Sequence, residues 1–277
     1  MLDIPSTDLN RRFGGARTRA GIYSEHATAE KCPTFGGMCA IRPGVPFRFC
    51  LRSLNETFNI RHMSETSVRA NQADFLRRLK AKTEPYTVEI EGIKLIIFPS
   101  VFPPTTDTRL LARHIHTKPG DRVLDLTCGS GVFSVLAGLQ GAAGNANDLN
   151  PAAVRNAQEN ISRYGLDFNV TEGDLYTNIP QETFDYIYSN GPYIEGAVHE
   201  PLELAFFGAK KYITGLFEGA KSRLASNGKM LITFAEFGDT AFFESSALEN
   251  GFEHNVIDSV TSSDSRRTYR LYELSLT

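Results

Sequence analysis

A glycine-rich turn follows an apolar strand predicted over residues 122–127 and leads directly into an apolar helix. Gly129 and Gly131 have no Cβ, so the backbone of this turn can approach a ligand closely. Asp148 stands 19 residues after Gly129, at the expected end of the next strand, where a carboxylate can accept hydrogen bonds from both hydroxyls of a ribose. We therefore predict that these strand ends bind an adenosine-type ligand.

The turn alone leaves three alternatives open: a structural turn without a ligand, a dinucleotide site such as that for NAD, or a site for an adenosine derivative without phosphate. The dinucleotide fingerprint has a third glycine where Ser134 stands, and that glycine allows close helix packing beneath a pyrophosphate. A ligand without phosphate does not need it, so the sequence favours the third alternative.

A second acidic residue, Asp174, stands at the end of the next predicted strand. Its carboxylate could accept a hydrogen bond from an adenine amino group, with Leu175 against the ring. The alternative is an aspartate that caps a turn, as Asp often does.

Strands and helices alternate after residue 120, which predicts an α/β fold with a doubly wound, mostly parallel sheet. A helix and a β-hairpin are predicted to precede it. The last two strands are joined by a turn too short for a crossover helix, so the final strand should be antiparallel. The strands are predicted over residues 122–127, 168–171, 184–189, 229–235, 252–260 and 268–276, and the helices over residues 132–140, 151–164, 202–225 and 240–250.

Charge balance and hydrophobic periodicity divide the chain into three parts. They are an extension over residues 1–62, a helix and hairpin over residues 63–100, and the α/β domain over residues 101–277. The extension holds 9 Lys and Arg against 5 Asp and Glu, whereas the remainder holds 20 against 27. Three alternatives remain for the extension: a disordered basic segment, a small substrate-covering module, or a segment foreign to the natural protein, which would then begin at Met63.

Composition argues against several classes of protein. A net charge of −3 and a pI of 6.1 do not fit a protein that binds nucleic acid through a basic surface, so a nucleic-acid acceptor is not expected. The aliphatic runs are far shorter than the ~18 residues that span a bilayer. None of the four cysteines forms a Cys-x-x-Cys pair, which predicts no metal site and, without an export signal, a cytoplasmic protein with reduced thiols.

The strand over residues 184–189 ends in Asn190-Gly191-Pro192-Tyr193. The order of glycine turn, Asp148 and Asn-x-Pro-Tyr resembles the class I S-adenosylmethionine-dependent methyltransferases, and most of all their HemK-like, methyltransferase small group, over residues 99–277. The resemblance implies a Rossmann-like fold, S-adenosylmethionine as cofactor, and a transferase that modifies a planar nitrogen. Residues 103–108 also resemble the segment that precedes the sheet in this group, and we expect them to close over the methionine end of the cofactor.

The resemblance also assigns roles to individual residues. The Asn190 side-chain oxygen and the Gly191 carbonyl would accept hydrogen bonds from an acceptor NH2, Pro192 would stiffen the turn, and Tyr193 would pack on the acceptor plane. Asn190 and Tyr193 are therefore the predicted catalytic residues. The predicted cofactor-binding residues are Asp125, Thr127, Cys128, Gly129, Gly131, Asp148, Asp174, Leu175 and Asn190.

One residue departs from the group, which has proline where Gly191 stands. The departure leaves the acceptor carbonyl in place, but it weakens the case for the group's protein-glutamine and nucleobase substrates. Glu195 and His199 follow the motif and are candidates for a general base. The aromatic residues of the next predicted helix are expected in the core, with a cage around the acceptor as the alternative; they are Phe206, Phe207, Tyr212 and Phe217.

Three functions remain open. The first is an N-methyltransferase that acts on a small molecule or a protein side chain. The second is a cyclase that consumes the same cofactor, in which the α-amine attacks the γ-carbon, releases methylthioadenosine and forms azetidine-2-carboxylate. The third is a catalytically silent cofactor-binding subunit. The sequence leaves the oligomeric state open.

Overall fold

A computed structural model describes residues 65–263 and 265–277, with side chains from residue 67 onward. The boundary predicted at residue 62, and the three alternatives for the segment before it, lie outside these residues. Within the described part, no helix has the length and apolar character that crossing a membrane requires.

The described helices are α1 (Glu65–Lys80), α2 (Thr106–Ala112), α3 (Val132–Leu139), α4 (Pro151–Arg163), α5 (Ala209–Ala220), α6 (Thr240–Glu249) and a 3-10 helix (Pro201–Ala205). The strands are β1 (Tyr86–Ile90), β2 (Ile93–Ile97), β3 (Arg122–Leu126), β4 (Ala143–Asp148), β5 (Phe168–Glu172), β6 (Phe184–Ser189), β7 (Leu224–Ala235), β8 (Phe252–Thr261) and β9 (Thr268–Leu276).

Seven of these strands form one sheet in the order β5-β4-β3-β6-β7-β9-β8. Neighbours from β5 to β7 are parallel, whereas β9 runs antiparallel to both β7 and β8. The predicted doubly wound sheet with an antiparallel final strand is therefore confirmed. The strand order reverses between β3 and β6, and the carboxyl ends of parallel strands at such a point form a crevice that binds ligands.

The single helix predicted over residues 202–225 is wrong. The structure has the 3-10 helix, then a break at Gly208 with φ +93°, then α5, and β7 already begins at Leu224. The carbonyl oxygen of Ile194 accepts hydrogen bonds from the N–H groups of Gly208 and Ala209, at 3.1 and 3.3 Å. These bonds hold the break in place, because they take N–H groups that a continuous helix would pair within itself.

Two buried asparagines on α4 attach the hairpin of β1 and β2 to the main domain. Asn156 donates to the Ile96 carbonyl at 2.7 Å and accepts from the Phe98 N–H at 2.9 Å. Asn160 accepts from the Ile96 N–H at 2.9 Å and donates to the carbonyls of Ile96 at 2.8 Å and Ser130 at 2.9 Å. Asn160 thus joins the edge strand β2 to the glycine-rich turn through one amide.

We expect Asn160→Ala to lower the free energy of unfolding by about 1–3 kcal/mol, because the Ile96 N–H and the Ser130 carbonyl lose their hydrogen bonds to this amide, whereas the Ile96 carbonyl keeps Asn156. Urea denaturation measures the change. Gln158→Ala, an exposed position on the same helix, serves as the control and should change stability by less than about 0.5 kcal/mol. Equal denaturation midpoints for the two variants would contradict this account of the hairpin.

Candidate active site

The crevice at the switch point opens into a cavity of 850 Å³, within the range of small-molecule sites. The strand ends of β3, β4, β5 and β6 form its floor, and α1, the 3-10 helix and the turn before β9 contribute to its walls. Of the predicted site residues, the cavity is lined by Thr127, Cys128, Gly129, Asp148, Asp174, Leu175, Asn190, Gly191, Pro192 and Tyr193. Asp125 and Gly131 do not line it.

Three aromatic rings cover one side of this cavity. Phe102 lies edge-on to Phe75 of α1, with centroids 5.7 Å apart, and edge-on to Phe206, with centroids 5.3 Å apart. Lys80 donates to Glu203 at 2.9 Å and so ties α1 to the 3-10 helix. Of the aromatic residues predicted to be core, Phe217, Tyr212 and Phe206 are buried in hydrophobic clusters and Phe207 packs against one of them. Phe206, Phe207 and Tyr212 line the cavity as well.

The two glycines of the turn have different tasks. A Cβ on Gly129, which has φ +55°, would meet only the Phe102 carbonyl oxygen, at 3.9 Å, so the space above this residue is open to the cavity. A Cβ on Gly131, which has φ +76°, would lie 3.1 Å from the Cα and Cβ of Ala157 on α4. Gly129 therefore admits a ligand, and Gly131 admits helix α4.

Asp125 lies beneath the turn with no exposed surface, and one of its oxygens accepts hydrogen bonds from the N–H and hydroxyl of Ser134, at 2.9 and 2.7 Å. Its other oxygen has no hydrogen-bond partner, and burial raises the pKa of Asp125 to about 7. This carboxyl takes the N–H of Ser134 in the first turn of α3, a turn whose N–H groups face the pyrophosphate in a dinucleotide site. The arrangement favours a ligand without phosphate.

Asp148, at the end of β4, faces the cavity and accepts from the Gly129 N–H and the Asn150 N–H, each at 2.8 Å. A carboxylate oxygen has two lone pairs, so both oxygens can accept a further hydrogen bond from a ligand hydroxyl. Burial raises the pKa of Asp148, and burial likewise raises the pKa of the neighbouring Cys128 thiol, which is therefore neutral and contributes an apolar wall.

Asp174 lies at the far end of the floor, beyond β5. Its carboxylate forms an ion pair with Lys211 of α5, at 2.5 Å, and both side chains are substantially exposed. Leu175 has φ +50°, and its carbonyl accepts a hydrogen bond from buried Asn147 at 2.6 Å. Asp174 and Leu175 thus lie where the sequence places them, on a turn that Asn147 holds.

The amide of Asn190, at the end of β6, is held by side chains from two other elements. Its nitrogen donates to Thr108 of α2 at 3.2 Å, and its oxygen accepts from Thr233 of β7 at 2.8 Å. The Tyr193 hydroxyl contacts the same amide oxygen and lies 2.7 Å from a carboxylate oxygen of buried Asp107. The order and spacing of the sequence give no sign of Thr233, because it lies 43 residues from Asn190.

Tyr212 of α5 explains why glycine stands at position 191. A Cβ on Gly191 would lie 2.3–2.6 Å from three carbons of the Tyr212 ring. The Tyr212 hydroxyl donates to Ser189 at 2.8 Å, which holds the ring against position 191. Proline at this position also carries a Cβ and would therefore clash with the ring. The departure from the Asn-Pro-Pro-Tyr pattern is thus matched by a tyrosine on the facing helix.

The two candidates for a general base lie away from the cavity. The Glu195 carboxylate accepts from the Lys210 N–H at 2.5 Å, and His199 is exposed and pairs through its backbone N–H with Glu203 at 2.7 Å. Neither lines the main cavity. No group of three or more potential metal ligands occurs among the residues described.

The family model described as "Methyltransferase small domain" matches residues 104–257. The chain belongs to the methyltransferase small domain family. A candidate protein N5-glutamine methyltransferase of Methanocaldococcus jannaschii is 32% identical over 135 residues, which cover 48% of this chain and 64% of that relative. The release factor glutamine methyltransferase of Geobacter sulfurreducens is 33% identical over 133 residues, which cover 45% of this chain and 47% of that relative.

The fold also matches solved structures. A 16S rRNA N2 G1207 methyltransferase from T. thermophilus, in complex with AdoMet and guanosine, has a TM-score of 0.51 and 18% identity, and the match covers 70% of this chain and 50% of that one. The family match confirms the predicted family and with it the cofactor, S-adenosylmethionine. The solved structures confirm the Rossmann-like fold. The aligned segments span only 64% and 47% of the two curated relatives.

The described cavity fits this cofactor. The space above Gly129 is open to the cavity, and the Asp148 carboxylate faces the cavity with lone pairs that could accept from ribose hydroxyls. Asp125 accepts the hydrogen bond of the Ser134 N–H in the first turn of α3, and a ligand without phosphate does not need that N–H. Asp125 and Gly131 support the turn from below, while the remaining predicted cofactor residues line the cavity itself.

We expect Gly191→Ala to destabilise the protein by about 1–3 kcal/mol, because the new methyl group overlaps the Tyr212 ring. In a Tyr212→Ala background the same change should cost at least about 0.5 kcal/mol less, because the ring is absent. Denaturation of the two single variants and the double variant measures this coupling. Additive effects of the two substitutions would show that the contact does not constrain position 191.

The raised pKa of Asp125 makes stability depend on pH. The folded state holds a proton on Asp125 up to a pH of about 7, whereas the unfolded state loses it near pH 3.8. Because the folded state binds the proton more tightly, the free energy of unfolding falls as pH rises between these values. The contribution of this residue to the fall is at most about 4 kcal/mol. We expect Asp125→Asn to remove this part of the decline. Denaturation at a series of pH values checks it; profiles that stay parallel for the two proteins would assign the decline to other groups.

Proposed function

We propose that this protein transfers a methyl group from S-adenosylmethionine to a planar nitrogen of a small molecule or a protein side chain. The observation that carries the proposal is the side-chain amide of Asn190, which lines the cavity beside the glycine-rich turn and is fixed in orientation by Thr108 and Thr233. An amide oxygen held in this way can accept a hydrogen bond from an acceptor N–H and direct the nitrogen lone pair.

The strand order separates two halves of the cavity. The ends of β3, β4 and β5 carry the cofactor residues Gly129, Asp148 and Asp174, while the end of β6 carries Asn190 and Tyr193. Adjacent strands lie about 4.8 Å apart, so the two groups of residues flank one ligand-sized space. The cofactor supplies an electrophilic methyl group, and the protein's task is to place the nitrogen in line with it and to exclude water.

Tyr193 and Asp107 support the task of Asn190. The Tyr193 hydroxyl has one hydrogen and two strong acceptors, the Asn190 oxygen and the Asp107 carboxylate. When that hydrogen is donated to Asp107, one lone pair of the Asn190 oxygen becomes available to an acceptor N–H, while Thr233 retains the other. Burial raises the pKa of Tyr193, so its hydroxyl stays neutral and acts as a donor.

The relatives support the class of acceptor. Two of the curated relatives, those of M. jannaschii and G. sulfurreducens, are named for methylation of glutamine, and the glutamine amide is a planar nitrogen. The cavity is partly covered by Phe75, Phe102 and Phe206, which suits a small molecule or an extended side chain better than a duplex. We propose a nucleic-acid substrate only as a lesser variant, since residues 63–277 are acidic on balance.

Mass spectrometry tests the function. The purified protein is incubated with S-adenosylmethionine alone and with a low-molecular-weight metabolite extract, a protein extract or total RNA. We expect S-adenosylhomocysteine and a methylated product with the metabolite or protein extract only. Methylthioadenosine formed from the cofactor alone would replace the proposal with cyclisation, and cofactor binding without turnover in any mixture would replace it with a silent subunit.

We expect Asn190→Ala to lower S-adenosylhomocysteine formation at least about 100-fold, since removing one positioned hydrogen-bonding group at a reacting centre costs this much. Binding of S-adenosylhomocysteine, measured by calorimetry, should change less than about threefold, because Asp148 and the glycine-rich turn are untouched. Asn255→Ala, an exposed position on β8, is the control. Full turnover in Asn190→Ala would refute the site assignment.

A further inference from the structure

Arg267 immediately precedes β9 and lines the cavity together with Tyr269 and Tyr193. Its guanidinium carbon lies 5.2 Å from the centroid of the Phe237 ring, so the cation rests on an aromatic face. The side chain also borders an adjoining groove of 540 Å³, which shares Tyr193 with the main cavity. Arg267 therefore stands at the end of the cavity that is farther from the cofactor residues.

The Arg267 guanidinium forms no ion pair with any carboxylate that the structure describes, and its Nε is buried without a hydrogen-bond partner. Nearby Arg270, in contrast, donates to Glu236 at 2.8 Å. A buried N–H of a cation without a partner is costly, and an anion that accepts from it in a bidentate manner removes the cost. The observation points to a negatively charged ligand group at this place.

The sheet sets the position of that group relative to Asn190. β7 lies between β6, which ends at Asn190, and β9, which begins after Arg267. Two strand spacings amount to about 10 Å. The rings of Tyr193 and Tyr269, with centroids 6.0 Å apart, line the wall between them. A planar molecule along this wall can place a nitrogen at Asn190 and an anion at Arg267.

We infer that Arg267 binds an anionic group, a carboxylate or a phosphate, of the planar molecule that accepts the methyl group. The inference rests on the proposed function, because it places the acceptor nitrogen at Asn190. It adds the charge and the approximate length of the acceptor. The cofactor residues lie on the opposite side of Asn190, so Arg267 acts on the acceptor and leaves cofactor affinity unchanged.

Calorimetry on the full chain saturated with S-adenosylhomocysteine tests this. The probes are 4-aminobenzoate, 4-aminophenyl phosphate and the neutral 4-aminobenzamide. We expect at least one anionic probe to bind the unaltered protein about tenfold more tightly than the neutral one, as a charge-assisted hydrogen bond provides, and Arg267→Gln to abolish the preference. The anion preferred distinguishes a carboxylate from a phosphate.

Two control variants accompany the test. Arg266→Gln removes an exposed charge that does not line the main cavity and should retain the preference, and Arg267→Lys should restore part of it. Lack of any anion preference in the unaltered protein, or its persistence in Arg267→Gln, overturns the inference. So does an equal loss of S-adenosylhomocysteine affinity, which would assign Arg267 to the cofactor. Failure of the unaltered protein to bind S-adenosylhomocysteine refutes the proposed function instead.

Discussion

The hydrogen bonds around the Asn190 amide hold together three parts of the chain that are far apart in sequence. Thr108 of α2, Thr233 of β7 and the end of β6 meet at this one group, and Asp107 joins them through Tyr193. Buried polar groups that are fully satisfied rigidify their surroundings. The segment before the sheet is therefore fixed over the cavity by the same interactions that orient the predicted catalytic amide.

The carboxyl groups of Asp125 and Asp148, beneath and beside the glycine-rich turn, affect ligand selection in different ways. Asp125 is buried and bonded to the first turn of α3, whereas Asp148 reaches the cavity with lone pairs available. The first takes an N–H of the helix turn that faces a pyrophosphate in dinucleotide sites, and the second offers acceptors to a ribose. Ser134, which replaces the third glycine of a dinucleotide site, is the residue that makes the first arrangement possible.

Local patterns predicted the architecture well. The alternation of strands and helices and the short turn before β9 are properties of neighbouring residues, and both were sufficient to predict the sheet. The break at Gly208 was missed because it depends on the Ile194 carbonyl, and Thr233 was missed because it reaches Asn190 from another strand. Contacts of this kind are decided by tertiary packing, which a single sequence does not display.

The contact between Gly191 and Tyr212 constrains the order in which this active site can change. With this backbone, proline at position 191 requires a residue smaller than tyrosine at position 212. Tyrosine at position 212 in turn requires glycine at position 191. Exchange of Gly191 alone produces a clash with the ring, and exchange of Tyr212 alone removes its hydrogen bond to Ser189. A change from glycine to proline in the loop therefore requires a prior change on helix α5, because the Tyr212 ring occupies the space that the proline needs.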